Sequence, residues 1–95
     1  MNETALPESL RPFFQEYDFG ALDPEQHAEL IIERTLRYGN RAELRWLFRR
    51  YGQARIAVWF AAMGAQRLPR RHVPFWSLVL DVEPQPRHTG GVWPY

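Results

Sequence analysis

"LDPEQHAELIIERTLRYGNRAELRWLFRRYGQARIAVWFAAMG", residues 22–64, decides the fold. Its apolar residues recur at spacings of three and four, and Gly39, Gly52 and Gly64 divide and close it. Three short helices in succession are the expected result. Asp23 is placed to cap the first of them, with Pro24 at the first helical position, where its missing N–H costs little. Acids fill the first turns and Arg34 and Arg37 the last, in agreement with the helix dipole, and Gly39 closes the helix. Ala28, Ile31, Ile32, Thr35 and Leu36 share one face. Asn40 caps the second helix, and Glu43, three residues on, completes a variant of the capping box. Leu44, Leu47, Phe48 and Tyr51 form its apolar stripe, and Gly52 ends it. The third helix is expected over residues 53–63, stopped by Gly64, with Ile56, Trp59, Phe60 and Met63 as its stripe. Its other faces carry Ala54, Ala57, Val58, Ala61 and Ala62. A helix apolar nearly all round is central in a fold or covered by a partner.

Outward from this stretch the signals are shorter. "LPESLRPFFQEYDF" predicts a short helix or turn broken near Pro12, with Phe13, Phe14, Tyr17 and Phe19 as core plugs. "FWSLVLDV" is short enough to be a helix or a buried strand by periodicity alone. A lone strand would have no mate in an otherwise helical chain, so helix is expected. "PQPRHTGGVWPY" reads as an extended tail ending in Trp93 and Tyr95. The expected fold is all-α: a bundle of four or five short helices with a helix-turn-helix-like outline. One domain is expected over residues 1–82, with a Pro- and Gly-rich tail over 83–95.

Ninety-five residues, 45% hydrophobic and 15% aromatic, suffice for one modest core and are too apolar for a disordered chain. The absence of cysteine rules out disulfides and thiolate metal sites. No apolar run approaches the roughly 20 residues that span a bilayer. "MNETALPESL" has no basic region followed by an apolar core, as a secretory signal would. A soluble cytoplasmic protein is the expectation.

The net charge of +1 conceals a polarity along the chain. Residues 1–40 carry eight acids against three arginines, and residues 41–72 carry eight arginines against one acid. This asymmetry marks either a nucleic-acid surface or complementarity between two parts of one fold. Arg41, Arg45 and Arg49 stand four residues apart, flanking the apolar stripe of the second helix. Trp46 points away from that stripe, between Arg49 and Arg50. These arginines could grip phosphates, dock on an acidic partner or form a solvated face. Tryptophan and arginine are the residues enriched at interface hot spots, so Arg41, Arg45, Trp46, Arg49 and Arg50 form the candidate partner-binding patch. Arg55 and the aromatic tail residues Trp93 and Tyr95 are further candidates. As a DNA-recognition helix, residues 53–63 would offer base edges only Gln53 and Arg55 among alanine and valine. His27, His72 and His88 are scattered, and no HExxH, phosphate-loop or GxSxG pattern occurs. No catalytic residue, cofactor or metal site is predicted.

"LRPFFQEYDFGALD", "HAELIIERTLRYGN", "LRWLFRRYG" and "PFWSLVL", spanning about residues 10–80, resemble a family of small bacterial proteins of unknown function. "IIERTLRYG" followed by "LRWLFRRYG" is the most specific part. Such proteins are often encoded beside a nucleotidyltransferase-like toxin of the abortive-infection class. The resemblance therefore implies an antitoxin-like, non-enzymatic role in binding that toxin; a DNA-binding regulator is the alternative. The sequence departs from the pattern at Pro74 in "RRHVP" and in the tail "EPQPRHTGGVWPY".

Overall fold

The computed structural model describes residues 6–85. Two 3-10 helices, Glu8–Phe14 and Phe19–Ala21, precede three consecutive α-helices, α1 (Ala28–Tyr38), α2 (Arg41–Tyr51) and α3 (Gln53–Arg67), and a third 3-10 helix, Arg70–His72, leads into α4 (Val73–Leu80). No strand occurs among the described residues, and the fold is all-α, as the periodicity predicts. The chain divides into two compact units, one ending at Gly52 and one beginning at Gln53.

In the first unit α1 packs against α2 and against the Glu8–Phe14 segment. Leu10, Phe14, Phe19, Ile31, Ile32, Leu36 and Leu47 are buried. The Glu8–Phe14 helix runs through Pro12 rather than breaking there. The fixed φ of proline suits a 3-10 backbone, and Pro12 lacks only the one N–H that would bond Ser9. Of the expected aromatic plugs, Phe14 and Phe19 are buried with rings 6.0 Å apart, whereas Tyr17 is exposed. Phe13 is half-buried and stacks on Tyr38 at 5.4 Å.

Asp23 caps the turn that precedes α1 rather than the helix itself, whose N-cap position falls at His27: the Asp23 Oδ1 accepts from the N–H groups of Glu25 (2.8 Å) and Gln26 (3.2 Å). Those hydrogen bonds favour the charged carboxylate and hold its pKa below the usual aspartate range. The His27 ring closes the turn, its Nδ1 accepting from the Asp23 N–H at 3.0 Å. Regular α-helix begins only at Ala28. The Asn40–Glu43 capping box forms in full. Asn40 Oδ1 accepts from the Glu43 N–H at 2.9 Å, and Glu43 Oε1 accepts from the Asn40 N–H at 2.8 Å. Gly52 ends α2 at φ +86°, a backbone angle that side chains with a Cβ rarely adopt.

The second unit consists of α3, the Arg70–His72 helix and α4, with α3 packed against α4. Ile56, Trp59, Phe60, Leu68, Trp76 and Leu80 are buried. Gly64 does not stop α3, which continues to Arg67. The glycine lies where any Cβ would strike the Phe60 ring, with Cε1 only 2.7 Å away. Its role is close packing rather than termination. "VPFWSLVL" is helical, as expected, with Pro74 in its first turn, where an N–H has no helical partner. Asp81, in left-handed conformation at φ 57°, ends α4. The Val82 N–H bonds the Ser77 carbonyl at 3.2 Å, and the Ser77 hydroxyl donates to the Val82 carbonyl at 2.8 Å. The following segment runs along α3, its Gln85 N–H donating to the Ala61 carbonyl at 2.9 Å.

Candidate protein-binding surfaces

The capping box and Gly52 set the ends of α2, and Leu47 and Tyr51 set its inward face. The opposite arc then follows from about 100° per residue. Arg41, Arg45 and Arg49 stand on that arc, all exposed. None forms an ion pair with a described residue.

Other arginines of the first unit behave differently. Arg11 pairs with Glu8, and its guanidinium lies 4.8 Å over the Phe19 ring. Arg34 donates to both carboxylate oxygens of Glu16, at 3.2 and 2.6 Å, and to the Phe13 carbonyl at 2.5 Å. Its guanidinium also lies 5.5 Å over Phe14 and 5.8 Å over Tyr17. The Arg34 hydrogen bond holds the Glu16 carboxyl below the usual carboxylate range. Arg37 lies 5.2 Å over the Tyr38 ring.

Arg50, grouped with the patch by sequence, is drawn into the fold. It meets Glu25 at 3.2 Å and lies 5.2 Å over the Tyr51 ring. Trp46 is half-buried, edge-on to Tyr51 at 6.1 Å. The exposed cationic face of α2 is therefore Arg41, Arg45 and Arg49, with part of the Trp46 indole beside them. Arg55 is exposed in the first turn of α3. Trp93 and Tyr95 lie outside the described residues, as does all but the first three residues of the tail predicted over residues 83–95.

Residues 9–58 match the family of unknown function DUF6922. The chain belongs to that family. The DUF6922 match begins within the first 3-10 helix and ends midway along α3, so it contains the whole α2 face and stops before α4. No curated protein and no solved structure matches the chain.

Two polar groups capable of chemistry have structural work among the described residues. His27 closes the Asp23 turn, and the Ser77 hydroxyl holds the end of α4. No group of three His, Asp or Glu among the described residues is placed to hold a metal ion.

A second surface escaped the reading of the sequence. In α4, Phe75 is 58% exposed, Leu78 82% and Val79 41%, while Trp76 and Leu80 are buried. Phe75, Leu78 and Val79 are spaced i, i+3, i+4 and share a face, with exposed Pro74 at its edge. Beside it an open groove of about 730 Å³ is bordered by Pro74, Leu78, Asp81, Glu83 and Gln85. The signal was present in composition: Ser77 is the only polar residue of the eight in α4. A two-turn helix that packs on one side cannot bury apolar groups on both.

Proposed function

We propose that this chain is a non-enzymatic protein-binding module that docks through the cationic face of α2. Its partner, on the family resemblance, is a nucleotidyltransferase-type toxin that it neutralises. One observation carries the reading: Arg41, Arg45 and Arg49 are exposed without an ion pair among the described residues, while Arg11, Arg34 and Arg50 each take a carboxylate. Arg41 also stands in the first turn of α2, where a cation opposes the helix dipole. Folding does not account for this row of charge.

A nucleotidyltransferase pocket is lined with metal-binding carboxylates, and a line of arginines beside an indole complements its mouth. Protein is favoured over DNA because the exposed residues of α3 include Ala54, Val58 and Ala62, and none of these can hydrogen-bond a base edge.

The test is co-expression with the product of the adjacent gene, which this reading expects to be of nucleotidyltransferase type. Wild type should co-purify with it and protect growth. R45E/R49E should lose both while keeping its helical circular dichroism. Undiminished protection by the folded double variant would overturn the reading. Salt-dependent binding of duplex DNA by the isolated chain would favour the regulator instead.

A further inference from the structure

We infer that the exposed face of α4 is a self-association surface, on which a second copy of this chain packs its own α4 antiparallel about a two-fold axis. Three observations lead there.

The first is the apolar stripe. Pro74, Phe75, Leu78 and Val79 occupy an exposed arc of about 140° on α4, opposite buried Trp76 and Leu80. Phe75 is braced edge-on against Trp76, with ring centroids 4.9 Å apart, so it is presented on a packed support. Large apolar groups clustered on one exposed helix face mark an interaction surface, unlike single scattered ones.

The second is the charge at the two ends. Exposed Arg70 and Arg71 precede α4, and exposed Asp81 and Glu83 follow it. Both placements oppose the helix dipole, which favours anions at the N-terminus and cations at the C-terminus. Within one chain this arrangement weakens α4. Asp81 and Glu83 border the same groove as Pro74 and Leu78, so the acids sit beside the stripe.

The third is symmetry. Arg70 lies four residues before the start of the stripe at Pro74, and Glu83 four residues after its end at Val79. Along the chain, the charge pattern and the stripe therefore share a midpoint, between Trp76 and Ser77. When one helix is turned end for end upon another about that centre, stripe meets stripe. The arginines of each copy then meet the acids of the other, and the two helix dipoles run antiparallel. An isologous contact requires a patch complementary to itself under that rotation, and the order of charge and stripe along the chain has that property. A parallel pairing would set arginine against arginine. A single pair of two-turn helices lies at the small end of interface sizes, so the dimer is expected to be weak.

Sedimentation of the full chain between about 10 and 500 μM should show the mass rising from one copy to two, in line with that small interface. L78D places a charge on a side chain already exposed, so the fold is kept, and it should remain monomeric throughout. R70E and E83R should each weaken association about tenfold, because two symmetric contacts are reversed at once. Their combination in one chain should restore it. An equimolar mixture of the two single variants should form the heterodimer, since one carries glutamate at both 70 and 83 and the other arginine at both. A wild-type chain that stays monomeric at the highest concentration overturns the inference. So does a dimer that L78D leaves intact, or a swap that fails to restore what the single reversals lost.

Discussion

The Tyr51 hydroxyl donates to the Pro24 carbonyl at 2.6 Å, across 27 residues of sequence. This buried bond ties the last residue of α2 to the turn that leads into α1. The same ring carries the Arg50 guanidinium on one contact and the Trp46 edge on another, so the end of the cationic helix is held through one tyrosine. Y51F removes the donor and leaves a buried carbonyl unsatisfied. It should cost about 1–2 kcal/mol in urea denaturation, with the helical signal of the folded state unchanged.

The Thr35 hydroxyl is fully buried in α1 and has no hydrogen-bond partner among the described residues. Valine has nearly the same shape without the polar atom. T35V should therefore stabilise the protein by about 1 kcal/mol, read as a higher urea midpoint at unchanged slope. A loss of stability would show that the hydroxyl is satisfied after all.

Replacing a helical glycine by alanine ordinarily gains about 1 kcal/mol. Gly64 should reverse that rule. The new Cβ would press on the ring of fully buried Phe60, which has nowhere to move. G64A should be destabilised by about 1–2 kcal/mol net, as the overpacking cost exceeds the propensity gain. Thermal unfolding compared with A62G, at an exposed position of the same helix, separates the two effects.

The arginines should divide into two groups by stability. R45A/R49A removes side chains with no ion pair among the described residues and should change stability by less than about 0.5 kcal/mol. R34A removes the Glu16 pair, the Phe13 carbonyl bond and two aromatic contacts, and should cost about 1–2 kcal/mol. Denaturant titration of both variants is the check.

Acid should weaken the first unit through Asp23 and Glu16. Hydrogen bonds to the charged forms lower both pKa values in the folded state. A carboxylate with a depressed folded pKa contributes stability above its unfolded pKa, about 4, and loses it as pH falls through the folded value. The urea midpoint should accordingly be flat near neutrality and fall as pH drops below about 4. In D23N the capping oxygen remains but the charge does not titrate, so the fall should be shallower than in wild type.

What the sequence determined by itself is what neighbouring residues decide among themselves. Asn40 and Glu43 are three apart, Gly52 follows directly on Tyr51, and Asp23 reaches N–H groups two and three residues away. Spacing alone therefore located both ends of α2 and identified an all-α chain, while α1 begins four residues after Pro24, the start that capping predicts. The tertiary structure decided everything that depends on distant residues. Gly64 looked like a stop until the Phe60 ring was seen to lie where its side chain would be. Arg50 looked like its neighbours on α2 until Glu25 was brought against it. Tyr17 looked like a core residue, and it is exposed. Phe75, Leu78 and Val79 could not be told from Trp76 and Leu80 by pattern, because a helix apolar all round carries no periodic mark of its covered face. Which side is buried is a property of the contact between α3 and α4, and only packing supplies it.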